Sequence, residues 1–149
     1  MSKTIIRPGH SSDLPAVHNL VRELAIFEKE EDAFTASLAD YQQDFSDQVF
    51  QTIIAEKNGE VVGMCLYYMT YSTWKGKMLY LEDFVIKEAS RRQGIGQLLF
   101  DGFMDRAQAL DCRIVKWQVL DWNDPAVRFY EKNQAIIEKT WWNCKIFLT

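Results

Sequence analysis

Arg91, Arg92, Gly94 and Gly96 fall within the run Arg91-Arg92-Gln93-Gly94-Ile95-Gly96, a spacing suited to gripping an anion. An apolar run, Leu79 to Ile86, leads into it, and an amphipathic run from Gly94 to Leu110 leads out. Without a Cβ, the two glycines let the backbone approach a ligand closely. The first amides of the helix that follows have no acceptors within the helix, and they point outward at the positive end of its dipole. With two guanidinium groups beside them, these amides form a cradle for a diphosphate. A nucleotide P-loop is excluded, because Gly96 is followed by Gln97-Leu98-Leu99 rather than by Lys and Ser or Thr. A GxGxxG dinucleotide fingerprint fails as well, since Leu99 occupies its third glycine position. A second reactive feature, the adjacent carboxylates of Glu82 and Asp83, lies on the strand entering the cradle. Side chains alternate along a strand, so the two are expected on opposite faces, with only one able to serve a given site.

These residues need elements to position them. Thr4 to Arg7 reads as a strand, followed by the capping residues Ser11-Ser12-Asp13 and a helix with Leu14, Val17, Val21 and Leu24 at helical spacing. Ser37 and Asp40 form a capping-box pair for a short second helix ending near Phe45, and the acidic run Glu28 to Asp32 reads as a loop. Val49 to Lys57 and Glu60 to Tyr71 flank Asn58-Gly59, the signature of a type I′ hairpin. Met78 to Ile86 is the next strand. The helix from Gly94 to Leu110 should turn Ile95, Leu98, Leu99, Gly102 and Leu110 inward. Ile114 to Leu120 reads as a strand, Pro125 to Lys132 as a helix opened by proline, and Ile136 to Thr149 as one or two further strands. This order predicts an α/β fold with helices packed on a mixed sheet. His10 and His18 receive no role, and His18 is expected at the surface.

At 149 residues and 48% hydrophobic, the chain predicts a single domain over 1–149 with a sizeable core. A formal charge of −4 with scattered lysines and arginines argues against a nucleic-acid partner. Cys65, Cys112 and Cys144 are widely spaced with no CxxC or Cys/His pattern, which predicts reduced thiols and no metal. No apolar stretch reaches the roughly 18 residues of a membrane span, so the expected location is the cytoplasm, away from membranes.

The Arg-x-x-Gly-x-Gly pattern at Arg91 to Gly96 resembles the acetyl-coenzyme A (acetyl-CoA) loop of the GNAT N-acetyltransferases. Three further segments resemble the spermidine/spermine (diamine) and thialysine branch of that family: IIRPGHSSDLPAVHNLVRELAIFEKEE, YYMTYSTWKGKMLYLEDFVI and VLDWNDPAVRFYEKNQA. The resemblance covers well over half of the chain, with YLED and WNxPxxxFY its most specific parts. It implies the GNAT fold, a mostly antiparallel central sheet flanked by helices. The implied activity is transfer of the acetyl group of acetyl-CoA to a primary amine of a diamine, polyamine or lysine-like amino acid, by direct attack in a homodimeric enzyme. The alternative from another class is a sensor or interaction protein that binds CoA or a cation without turnover.

Such a transfer poses two proton problems. An amine with a pKa of about 10.4 arrives charged, and removing its proton at pH 7 costs roughly 4 to 5 kcal/mol. The departing thiolate must also be protonated. The resemblance makes Glu82 the base, acting through an ordered water, and Tyr130 the acid; the bland readings are a solvated carboxylate and an aromatic core anchor beside Phe129. It assigns the cofactor to the backbone of Phe84, Val85 and Ile86, to Arg91, Arg92, Gln93, Gly94, Ile95, Gly96 and Gln97, and to Asn123, Asp124, Pro125, Ala126 and Asn133. Asn123 also suits a helix N-cap. The cationic acceptor falls to Phe27, Glu28, Trp74, Glu82 and Asp83. Ser72 and Thr140 stand where the polyamine branch has acidic residues, which favours a shorter acceptor, and Gln134 replaces a glycine in the turn after the tyrosine helix. Trp141 and Trp142 suit aromatic packing or a dimer contact.

Overall fold

The computed structural model describes residues 3–149. The chain divides into two compact units, Met1–Gln118 and Val119–Thr149.

The first unit is built on a five-stranded sheet in the order β1-β2-β3-β4-β5. Its strands are β1 (Thr4–Pro8), β2 (Gln51–Lys57), β3 (Glu60–Ser72), β4 (Gly76–Ile86) and β5 (Ile114–Lys116). The first four pair antiparallel with their neighbours, and β4 pairs with β5 in parallel. Three helices complete the unit: α1 (Leu14–Phe27), α2 (Leu38–Ser46) and α3 (Ile95–Ala109). Asn58 and Gly59 take φ of 54° and 75°, the pair of positive values that a type I′ hairpin between β2 and β3 requires. At α2 the capping box forms as its sequence predicts, with the Asp40 amide donating to Ser37 Oγ at 3.1 Å and the Ser37 amide to Asp40 Oδ2 at 2.8 Å.

Each sheet face is covered by helices. On one face Ile53, Ala55, Cys65, Tyr67, Leu79 and Leu81 pack with Ile95, Leu99, Phe103 and Ala107 of α3. On the other, Ile54, Met64, Leu66 and Val85 pack with Leu14, Val17, Leu20 and Val21 of α1. Contrary to expectation, Leu98 is half-exposed and lies outside the α3 core stripe. His18 also departs from its expected surface position. It is buried, its Nε2 lies 2.9 Å from the Ala36 carbonyl oxygen, and its ring sits 4.8 Å from Phe34 and 4.9 Å from Tyr41. The capping sequence before α1 acts differently too: the Asp13 carboxylate is gripped by Arg7 at 2.8 and 2.9 Å, tying the turn to β1 instead of capping the helix.

In the second unit α4 (Asp124–Lys132) opens with proline in its first turn, as its sequence predicts. The strands expected over 136–149 do not form, because no strand lies in this segment. β-branched and aromatic content alone does not make a strand, and here the apolar residues come in runs, Trp141-Trp142 and Ile146-Phe147-Leu148, all exposed. β5 stops at Lys116 rather than continuing to Leu120, because Trp117 to Leu120 join no ladder.

Among the described residues, all four α-helices end in the same motif. The residue after the cap lies in the left-handed region and its amide returns to the helix: Lys29 to Ile26, Gln48 to Phe45, Asp111 to Gln108 and Gln134 to Glu131. The next amide reaches one residue further back, to Ala25, Asp44, Ala107 and Tyr130 respectively. These are Schellman motifs, each made without the usual glycine.

Candidate active site

The centre of the site is an irregularity in β4. Tyr67 pairs with Leu81 and Leu66 with Asp83, so Glu82 is an extra residue with no partner of its own across the β3–β4 ladder. The bulge shifts the alternation of faces. Leu79 and Leu81 before it, and Phe84 and Ile86 after it, all face the α3 layer, whereas Val85 faces α1. Glu82 and Asp83 therefore both project toward the α1 side, correcting the expectation that they lie on opposite faces.

Glu28, the residue that caps the C-terminus of α1, adds a third carboxylate whose charge acts on Asp83. Its carboxyl is raised above the usual range by burial and by Glu30. Asp83 is pushed up to about 7, first by burial and then by the charges of Glu82 and Glu28. Three tyrosines border the cluster. Tyr41 is pushed up to about 12 by burial and by Asp83 and Glu82. Tyr68 donates its hydroxyl to Glu82 Oε1 at 2.7 Å, and its ring stacks on Tyr80 at 5.5 Å. The sequence reading missed these tyrosines, although a signal was there: counting back from the turn after Ser72 pairs Tyr68 with Tyr80, and Glu82 is the diagonal neighbour.

The cradle forms at the end of the same strand. Gly94 caps α3 with φ of 79°, and the first turn of that helix carries no acidic residue. A Cβ at Gly94 would meet nothing within 4 Å, and one at Gly96 would meet Phe84 Cζ at 3.8 Å, so the outer side of the loop is open to a ligand. The exposed Arg92 sits in the left-handed region with φ of 64°. Arg91 donates through Nε to the Ile86 carbonyl at 3.2 Å, and its guanidinium lies 6.0 Å from the centre of the Phe27 ring. Gln93 accepts from Lys57 Nζ at 2.6 Å, and Gln97 bonds to Asp101 at 2.9 Å. The ladder between β4 and β5 covers only Met78 to Tyr80, and past it the two strands no longer pair. That opening runs alongside Phe84, Val85 and Ile86, where an extended ligand can lie as an added strand. The glycine start of a helix, two arginines and an open strand edge fit a diphosphate joined to an amide-bearing arm.

Trp74 stands at the β3–β4 turn and is 84% exposed. Ser72 closes that turn, accepting from the Lys75 amide at 3.1 Å. In the second unit, Asn123 Oδ1 accepts from the Ala126 amide at 3.4 Å, so the capping role expected for it is realised. Tyr130 is the buried residue of α4, and Asn133 Nδ2 donates to the Phe129 carbonyl at 2.9 Å. Among the described residues no His, Cys, Asp or Glu group is arranged to hold a metal, all three cysteines are free, and no helix is long and apolar enough to cross a membrane.

Known proteins are similar to this chain in sequence and fold. Residues 14–135 match the family model described as Acetyltransferase (GNAT) family. The thialysine N-epsilon-acetyltransferase of Bos taurus is 35% identical over 97% of this chain and 92% of its own length. The spermidine/spermine N(1)-acetyltransferase-like protein 1 of Homo sapiens is 34% identical over 88% of this chain, which spans only 20% of that longer protein. Among solved structures, an aminoglycoside N-acetyltransferase in complex with CoA superimposes with a TM-score of 0.79 over 97% of this chain and 96% of its own, at 14% identity, a likeness of fold. With the family model running from α1 past α4 and the glycine cradle inside it, this chain belongs to the GNAT acetyltransferase family.

Proposed function

We propose that residues 1–149 act as one acetyl-CoA-dependent N-acetyltransferase domain, transferring an acetyl group to the primary amine of a small cation. The observation that carries this reading is the placing of Glu82 and Asp83 on one face of the strand that leads directly into the α3 cradle, with Glu28 at the end of α1 adding its charge to Asp83. Carboxylates held together against burial and mutual repulsion are relieved by a cationic partner.

The residues divide the work. When bound, acetyl-CoA supplies an activated acyl group as a thioester. Arg91, Arg92 and the amides at the start of α3 hold its diphosphate, and the backbone of Phe84 to Ile86 takes its arm. Glu28 and Asp83 hold the ammonium group of the acceptor. Glu82 receives the amine proton through a water, which frees the nitrogen lone pair for attack. Tyr130 returns a proton to the departing sulfur; from a phenol near pKa 10 to a thiolate near 8.5 this is uphill by about 2 kcal/mol, less once the sulfur is desolvated.

The acceptor is a short diamine or a lysine-like amino acid. Ser72 is occupied in closing a turn and Thr140 carries no charge, so the distal ammonium groups of a long polyamine lack two anionic partners. The similarity to the thialysine enzyme points the same way. The chain works as a cytoplasmic homodimer, with exposed Trp141, Trp142 and Phe147 as the apolar surface a partner copy would cover. Neither a metal nor a nucleic acid takes part.

Release of free thiol from acetyl-CoA, followed with diamines, polyamines, lysine analogues and peptide amines, tests this reading. A short diamine or lysine analogue should give the highest kcat/KM, and Tyr130→Phe should lower kcat by about 10²-fold. CoA binding without thiol release for every amine would leave a binding protein without turnover.

A further inference from the structure

We infer that Tyr68 is a positioning residue for Glu82: its hydroxyl pins Oε1 and leaves Oε2 as the oxygen that receives the acceptor's proton. The inference rests on the reading of Glu82 as the base. An ionised carboxylate only accepts, so the 2.7 Å contact has the phenol as donor. Burial and the neighbouring carboxylates raise the Tyr68 hydroxyl well above its ordinary range, so it keeps that proton throughout the working pH.

The delivery of this hydroxyl is rigid. Tyr68 and Tyr80 are directly paired across β3 and β4, and their rings stack at 5.5 Å with planes 22° apart. Both residues lie in the regularly paired stretch of the ladder between the bulge and the Ser72 turn, so the phenol is aimed by the sheet rather than by a loop. Glu82, by contrast, sits on a bulge where the ladder does not restrain it. The tyrosine supplies the restraint that the missing pairing removes.

The bond also distinguishes the two adjacent acids, since Tyr68 reaches Glu82. The bulge puts Asp83 on the same face as Glu82, and two like charges so close disfavour joint ionisation. A hydrogen bond to the anion favours the charged form, and Tyr68 gives its bond to Glu82. Asp83 is the carboxyl pushed up to about 7, by burial and then by Glu82 and Glu28. Glu82 is left oriented to take a proton: an N–H bond of the ammonium breaks, an O–H bond forms at Oε2 through one water, and the electron pair stays on nitrogen.

Tyr68→Phe removes the hydroxyl and keeps the stacked ring, and thermal melting verifies that the fold survives. With the acceptor giving the fastest thiol release, kcat is expected to fall about tenfold and the acid limb of its pH profile to rise by roughly half to one unit, while KM for acetyl-CoA stays unchanged. In a Glu82→Gln background the Tyr68→Phe change should have no further effect on kcat. An unaltered acid limb in Tyr68→Phe, whether or not kcat falls, would overturn the inference while an inactive Glu82→Gln kept the base assignment. A fully active Glu82→Gln would remove the base assignment itself, and this inference with it.

Discussion

Glu82 and Asp83, neighbours in sequence, lie on the same side of the sheet because β4 carries one more residue than β3 between Leu81 and Asp83. An ordinary strand would have sent them to opposite sides. The bulge thus concentrates negative charge at one point, and its cost is visible in Asp83, whose carboxyl is pushed up to about 7 by burial, Glu82 and Glu28.

That cost has a pH signature. Between the ordinary Asp value near 3.8 and about 7, the folded protein holds a proton on Asp83 that the unfolded chain has lost. Stability from this group is complete below about pH 4 and is lost as pH rises through 7. Asp83→Asn should therefore raise the midpoint of thermal unfolding more at pH 8 than at pH 4. A gain of equal size at both values would contradict the assignment. Acceptor binding near pH 6 should also release protons, seen by calorimetry as a heat that varies with the ionisation enthalpy of the buffer.

Much of this arrangement was legible beforehand, for a physical reason. The Asn58-Gly59 hairpin, the Ser37–Asp40 capping box and the glycine start of α3 are set by residues a few positions apart. The bulge at Glu82 was not legible, because it is a property of the pairing between β3 and β4, and no residue type in LYLEDF announces it. The burial of His18 depends likewise on Phe34 and Tyr41, which arrive from another segment. The strands expected over 136–149 failed on the same ground. Their composition favours strand, but a ladder needs a partner, and none is present for them among the described residues.

The cradle can be tested apart from catalysis. Gly94 and Gly59 share a positive φ, 79° and 75°, and at both a Cβ would meet nothing within 4 Å. Valine at either position carries backbone strain of about 1 to 2 kcal/mol, and should lower stability to a similar degree. Only Gly94→Val should weaken CoA binding, by at least tenfold in calorimetry, because only there does the ligand need the space. Wild-type affinity in Gly94→Val, or an equal loss in Gly59→Val, would remove the diphosphate from this loop.

Gln134 holds the turn that ends α4 in the left-handed region, with φ of 67°. Its amide donates to Glu131 at 2.9 Å and the Ala135 amide to Tyr130 at 3.0 Å, so the turn anchors the backbone of the proposed acid. Glycine takes this conformation without steric cost, although it also loosens the unfolded chain by about 0.4 to 1 kcal/mol. The strain relieved is the larger effect, so Gln134→Gly should stabilise the protein by up to about 1 kcal/mol in urea unfolding with the slope unchanged. Gln48→Gly, at the end of α2, should gain similarly. Asp111→Gly should gain least, since a short polar side chain tolerates the left-handed region best. A stability loss in Gln134→Gly would mean that its side chain makes a contact worth more than the strain. In that event the departure from glycine at this position would reflect a stabilising contact rather than a tolerated defect.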